Sequence, residues 1–321
     1  MTTLEIAPPS STASRLRRAM GDQGVYLALA IVLAFNLLFT PNFASINSLR
    51  LQLVQVIPVL IVALGMALVI GTGGIDLSVG AVMALSAAVI PVFLDRGAGL
   101  AIALGILVGA LAGLLNGFLV AFVRVQPIVA TLGLFVAGRG IALVIANGRL
   151  VEIFDPTFRL FGIGTVGPVP VSVVVALGLA LLTGVVVRRT VFGLRVMTIG
   201  GNPTAAMTAG LPVRRTLVLA YVLCAIFAAI AGVLVTARSS ASDPSFVGLL
   251  IELNAITAVV VGGTPLTGGR IRVAGTVAGA LLMQLIFATL IRHNLSDSDA
   301  RMVQAAIIIG AVYLQRRKVP G

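Results

Sequence analysis

The chain has 321 residues, of which 59% are hydrophobic and only 10% charged, and it carries a formal net charge of +12. That excludes a soluble domain, whose surface would lack charge, and a nucleic-acid binder, because the arginines cluster between apolar runs instead of forming one basic face. Lys318 is the only lysine, Cys224 the only cysteine and His293 the only histidine, which excludes a Walker-type phosphate loop, a disulfide within the chain, a cysteine cluster and a zinc site.

Apolar runs of about 17–25 residues recur from Val25 onward, each long enough to span roughly 30 Å of hydrocarbon. The fold class predicted is all-α, a polytopic integral membrane protein bathed in membrane lipid. Arg15, Arg17 and Arg18 precede the first run, Val25 to Thr40. No small-residue cleavage site follows it, so the reading is a retained helix behind a disordered cytosolic lead-in, residues 1–22. Residues 23–316 read as one transmembrane domain and 317–321 as a cytosolic tail. Ten spans are predicted, at approximately 24–40, 51–70, 78–94, 99–123, 127–147, 169–187, 216–237, 250–263, 273–291 and 301–315.

Between the second and third spans lies Gly71-Thr-Gly-Gly-Ile-Asp-Leu-Ser-Val-Gly80, a carboxylate among glycines. A charge inside a bilayer is expensive, so Asp76 is either interfacial or held for a purpose. Two roles are open to it: capping the helix that starts near Ser78, worth about 1 kcal/mol, or serving a pathway or gate. The glycines predict irregular backbone, which membranes tolerate only where protein or a cavity satisfies it.

Span four carries Gly105, Gly109, Gly113 and Gly117 at four-residue steps. At 100° per residue this leaves one narrow face bare, a packing signal for another helix of its own bundle or of a second subunit. Arg139 lies inside span five, where an exposed charge costs roughly 2.5–3.5 kcal/mol. It is expected to face inward with Glu252 or Asp76 as partner. Asn116, Asn147, Gln284 and Gln304 offer hydrogen bonds either to neighbouring helices or to a hydroxyl-rich solute.

The cytosolic loop of about residues 188–215 contains Gly200-Gly-Asn-Pro-Thr-Ala-Ala-Met-Thr-Ala-Gly210. Asn202 suits an N-cap, Pro203 the first helical position and Gly210 the position after the C-cap, which predicts a short surface helix. Glycine-rich turns recur at 69–80 and 259–269, each after an apolar run, as in transporters with internal repeats. With the N-terminus in the cytosol, fourteen basic residues fall inside and seven outside, with Arg139 within a span. Both termini are therefore expected in the cytosol.

Three motifs together carry a resemblance: Gly73-Gly-Ile-Asp-Leu-Ser-Val-Gly80, then Gly200-Gly-Asn-Pro-Thr-Ala-Ala206 with Gly210 beyond, and Glu252-Leu-Asn-Ala-Ile-Thr-Ala-Val-Val-Val-Gly-Gly263. The chain resembles, from about Val25 to Gln315, the permease subunits of bacterial ribose- and galactofuranose-type ABC sugar importers. The resemblance implies a bacterial inner-membrane permease without enzymatic activity, passing a monosaccharide delivered by a periplasmic sugar-binding protein. It implies a second permease subunit, identical or related, and a cytosolic ABC ATPase that binds the ATP, so no cofactor is expected in this chain. Gly201, Asn202, Pro203, Ala205, Ala206 and Gly210 would then couple to the ATPase. Asp76, Ser78, Asn116, Arg139, Glu252 and Asn254 are the candidates for pathway or gate. The sequence departs from the family's usual aspartate at Asn254 and from its frequent serine at Pro265. The runner-up is a branched-chain amino-acid ABC permease. A proton-coupled carrier, which would need titratable groups at the midplane, and a non-transporting scaffold stand behind it.

Overall fold

The computed structural model describes residues 12–316. Helix α1 (Thr12–Phe39) runs unbroken until Pro41, and α2 (Ile46–Gly71), α3 (Val79–Phe93) and α4 (Ala98–Phe118) follow. The helical lead-in from Thr12 replaces part of the disordered segment expected over 1–22: no proline interrupts 12–39, so the turns continue into the apolar run. Residues 1–11 and the tail at 317–321 lie outside the described residues. A wider π-type turn at Leu119–Val123 extends α4 and ends at Arg124 in the left-handed region, before Pro127 opens α5 (Pro127–Ile145).

The second half comprises α6 (Pro156–Ile163), α7 (Val171–Arg189), α8 (Val191–Gly201), α9 (Pro203–Thr208), α10 (Val213–Ser239), α11 (Ile251–Val261), α12 (Val273–Arg292) and α13 (Asp297–Arg316). Among the described residues strand is confined to two-residue pairs: β1 (Val151–Glu152) lies antiparallel to β4 (Ala241–Ser242), and β2 (Thr165–Val166) to β3 (Val169–Pro170).

Among the described residues, seven helices are long and apolar enough to cross a membrane: α2, α3 with its short extension to Arg96, α4, α5, α7, α10 and α12. They fall on seven of the ten expected spans, and the protein is an all-α polytopic membrane protein. Its first and last expected spans lie within α1 and α13. The short eighth span, expected at 250–263, is the 11-residue α11. At about 1.5 Å per residue that helix reaches only halfway across hydrocarbon.

The core sits on α2, α3 and α10. Leu64, Met66, Leu68 and Ile70 of α2, Met83 of α3 and Tyr221 of α10 are fully buried. The outer helices bury one face and expose an apolar one, such as Leu107, Leu111 and Leu114 of α4 or Leu177, Leu181 and Val185 of α7. A protein in water could not leave such rows uncovered, whereas lipid tails cover them without cost.

Close packing at the core depends on missing side chains. The bare face of α4 meets α10 of its own chain, which answers the question the four-residue step left open. A Cβ on Gly109 would lie 2.5 Å from Ala229 Cβ, and one on Gly113 would lie 2.6 Å from Ala225 Cβ and 2.7 Å from the Tyr221 carbonyl oxygen. Gly117 meets Val218 in the same way, while Gly105 faces Ser86 of α3. The lone cysteine belongs to this packing: Cys224 is buried with its backbone against Gly65 of α2.

Gly113→Leu should therefore lower stability by about 1–3 kcal/mol through overpacking. Gly133→Ala on α5, where a Cβ meets nothing within 4 Å, should be neutral or gain up to about 1 kcal/mol of helix propensity. Thermal unfolding of the two purified variants checks this, and equal midpoints would remove the packing argument.

Candidate functional site

The backbone of α2 stops at Thr72, whose amide and hydroxyl both donate to the Val69 carbonyl, the hydroxyl at 2.7 Å. Gly73 takes φ +84° and donates to the Ile70 carbonyl, turning the chain sharply before α3. Asp76 follows in this turn and is fully buried. Its Oδ1 accepts from the Ser78 amide at 2.9 Å and from the Ser78 hydroxyl at 2.6 Å. The carboxylate thus closes a turn two residues long, while the residue at the cap position of α3, Ser78, makes no side-chain capping bond. Ser78 already has helical dihedrals, so this bond to its amide meets, at the start of α3, the capping role expected for Asp76.

Neighbouring helices hold the turn in place. Asn116 of α4 donates Nδ2–H to the Ser78 hydroxyl at 2.8 Å, and the Leu77 amide donates to Thr131 of α5 at 3.1 Å. So Asp76, Ser78 and Asn116, predicted separately, form one hydrogen-bonded chain. Thr131 and Tyr221 were not foreseen, since a threonine and a tyrosine inside apolar runs carry no distinguishing pattern. Asp76 Oδ2, Asn116 Oδ1 and the Tyr221 hydroxyl are buried without a hydrogen-bond partner among the described residues. That hydroxyl is lodged where glycine leaves room: a Cβ on Gly74 would approach it to 2.6 Å.

A second break precedes α11. Arg139 of α5 donates Nη1–H to the carbonyls of Pro244 at 2.7 Å and Val247 at 2.9 Å. Among the described residues no contact within 4.0 Å joins Arg139 to Glu252 or Asp76, although Glu252, one of the two partners expected, is near enough to interact with the guanidinium through space. The guanidinium instead gathers turn carbonyls that lack helical partners, a task its forked donors suit. Glu252 is 5% exposed in the first turn of α11, where the helix dipole favours a carboxylate, and its Oε2 has no hydrogen-bond partner among the described residues. Gly80 of α3 makes room for it, since a Cβ there would lie 2.7 Å from Oε2 and collide with the Gly248 carbonyl. Asn254 stands apart from both clusters and accepts from Gln304 Nε2 of α13 at 2.8 Å.

The loop expected at 188–215 is mostly helical. Asn202 Oδ1 accepts from the Ala205 amide at 2.9 Å, Pro203 occupies the first turn of α9, and Gly210 takes φ +75° just past its end. These match the local expectation for a short capped helix. Ala206 is buried against Ile199 and Val213 and seats α9 on the fold, while Met207 is 60% exposed on the outward side. Behind α9, three glycine segments interlock. The Gly269 amide donates to the Gly71 carbonyl at 3.1 Å, and no Cβ fits on Gly200 beside that carbonyl or on Gly268 beside Gly73. The two recurring glycine turns are thus in contact, with the end of α8 wedged between them.

Two braced helix breaks and a short helix that follows the glycine junction give a membrane scaffold irregular backbone, and comparison with known proteins gives it a family. Residues 49–312 match the family described as the permease component of the branched-chain amino acid transport system. The chain belongs to this permease family. It is 37% identical over 321 residues to the galactofuranose transporter permease of Escherichia coli (strain K12), covering 97% of this chain and 94% of the relative. It is 37% identical over 303 residues to the ribose import permease of Bacillus subtilis (strain 168), covering 93% and 94%. The L-arabinose transport system permease of Escherichia coli (strain K12) is 30% identical over 314 residues, covering 97% and 95%. No solved structure matches.

In this permease the Asp76 turn can be tested for charge against geometry. Asp76→Ala strands the Ser78 amide and hydroxyl and should cost about 1–3 kcal/mol. Asp76→Asn keeps the accepting Oδ1 and removes a buried charge, so its thermal unfolding midpoint should equal or exceed that of the unaltered protein. Equal losses in both variants would show that the negative charge itself holds the turn.

Proposed function

We propose that this chain is the membrane-spanning subunit of an ATP-driven importer that moves a monosaccharide into a bacterial cytosol across the inner membrane. The observation that carries the reading is the match, over more than nine-tenths of both chains, to permeases named for galactofuranose and ribose. A periplasmic sugar-binding protein delivers the solute, a second permease subunit completes the pathway, and a cytosolic ABC ATPase binds the ATP. The sequence supports this division of labour, since its one lysine, Lys318, is in no phosphate loop. The second reading, a branched-chain amino-acid permease, is favoured by the description of the matching family alone.

In this reading Asp76, Ser78, Asn116, Arg139 and Glu252 shape the two helix breaks, and Asn254 is the member of the set that lines an open cavity. The α9 helix faces the ATPase, with Met207 rather than Ala206 as its contact. Uptake of labelled D-ribose, L-arabinose and D-galactose against L-leucine, by vesicles holding the permease with its ATPase and binding protein, separates the two readings. Sugar uptake that requires ATP supports the first. ATP-driven leucine uptake without sugar uptake overturns it.

Met207→Asp places a charge on the outer side of α9 and should reach the membrane intact. Solute-stimulated ATP hydrolysis by the assembled complex should fall at least about fivefold, as loss of a well-packed interface side chain costs upwards of 1 kcal/mol. Unchanged stimulation would leave α9 a connector. For topology, Arg149→Cys should react with a membrane-impermeant thiol reagent in intact cells, and Thr208→Cys only after permeabilisation. The reverse pattern would invert the orientation set by the arginines.

A further inference from the structure

A cavity of about 150 Å³ opens between α2, α11, α12 and α13. One wall is apolar, formed by Val56 and Val59 of α2 with Ala280 and Met283 of α12. The other carries Asn254, Gln284 and Gln304, with the Phe287 ring and Arg301 beside them. Gln284 donates through Nε2 to Gln52 and Gln55 of α2, at 3.0 Å each. Around the cavity, four helices therefore present five carboxamides in a protein whose charged and polar residues are otherwise sparse.

Carboxamides in a membrane interior are costly unless they are paired, and each presents both donors and acceptors. The pairings above use Gln284 Nε2 and Gln304 Nε2 and the accepting oxygens of Gln52, Gln55 and Asn254. Gln284 Oε1, Gln304 Oε1 and Asn254 Nδ2 make no hydrogen bond among the described residues. The cavity thus offers spare acceptors and a spare donor on one side and aliphatic carbon on the other.

We propose that this cavity is a transit site for a monosaccharide, whose hydroxyls both donate and accept and whose ring has an apolar C–H face. The assignment rests on the importer reading above and gives it a location. Charge does not dominate the site: Arg301 pairs with Asp297 at 2.7 Å and lies over the Phe287 ring, 5.9 Å from its centre. A neutral solute suits such a site better than an anion. Of the larger hollows, one of about 740 Å³ is formed by residues 146–152, outside the helices. Another, about 500 Å³ between α7 and α12, is lined by Leu177, Leu181, Val185 and Val277. Apart from arginines at its rim it offers hydroxyl groups nothing and faces lipid.

The test uses the complete importer in vesicles with labelled D-ribose, L-arabinose, D-fructose and D-galactose, and with L-leucine as the non-sugar. The first readout is thiol modification of Phe287→Cys, which is clean because Cys224 is buried. The transported sugar should slow modification at least about fivefold, while leucine should have no effect and an Arg149→Cys control should not respond to either. The second is selectivity: Gln284→Leu and Asn254→Leu, assembled with the ATPase as the unaltered chain is, should lower sugar uptake about tenfold, the loss expected for one or two hydrogen bonds. They should also change the ratio between the sugars transported, which a merely loosened bundle would not do. Sugar uptake by the unaltered complex, with Phe287→Cys modified at the same rate with and without sugar, overturns the cavity and leaves the importer reading standing. Leucine uptake with no uptake of any sugar overturns both. Should Gln284→Leu fail to assemble, the protection of Phe287→Cys decides alone.

Discussion

A chain that interrupts its helices inside a membrane must satisfy the freed backbone groups from within itself, because lipid supplies no hydrogen bonds. The two helix breaks of this permease follow from that constraint. After α2, the carbonyls of Val69 and Ile70 are taken up by Thr72, Gly73 and Gly74, and that of Gly71 by Gly269. Before α11, the carbonyls of Pro244 and Val247 are taken up by Arg139. An arginine in a span looks like a charge in search of a countercharge. Here its donors replace a missing helical turn, and Glu252 interacts with the same guanidinium through space without touching it.

Glycine is the second half of the same solution. Backbone can bond to backbone across segments only if no side chain holds the two apart, and the contacts of Gly71, Gly200 and Gly268 have no space for a Cβ. The same applies where Gly80 lies under Gly248 and Glu252. Hydrophobic attraction does little between helices already in lipid, so closeness must come from shape. The α4–α10 contact through Gly109 and Gly113 uses that principle for whole helices, and the glycine junction uses it for turns.

What was legible in the sequence were features with a period or a strict conformational demand. Apolar runs gave the spans, the four-residue glycine step gave the close face of α4, and Asn202, Pro203 and Gly210 gave α9 to the residue. The step could not say that its partner was α10, because proximity between segments a hundred residues apart leaves no local trace. Nor could a six-residue helix reveal that Ala206 points inward, being too short to show periodicity. The expected spans leave 147–169 without an element, whereas Asp155 caps α6 by accepting from the Phe158 amide at 2.6 Å and Pro156 follows it. Its elements are too short for a hydrophobic pattern to register. For Arg139 the carboxylate partner was legible and the carbonyls of Pro244 and Val247 were not, because carbonyl groups are invisible in a sequence, whereas carboxylates are named in it.

The junction and the cavity share their supports. Helix α2 carries Gln52 and Gln55 near one end and terminates at Gly71, whose carbonyl is bonded to Gly269. Helix α12 begins four residues after Gly269 and carries Gln284 at the cavity. The end of α8 sits between these two anchor points, and α9 follows it directly. Helices are stiff along their axes, and the glycine contacts leave no compressible side chains at the junction to absorb a displacement. In the proposed importer, a push on α9 would be delivered to the feet of α2 and α12, whose amides Gln52, Gln55 and Gln284 meet beside the cavity. Both walls of that cavity include residues of α12, which starts beside the junction, so such a push would need no side chain to carry it between them.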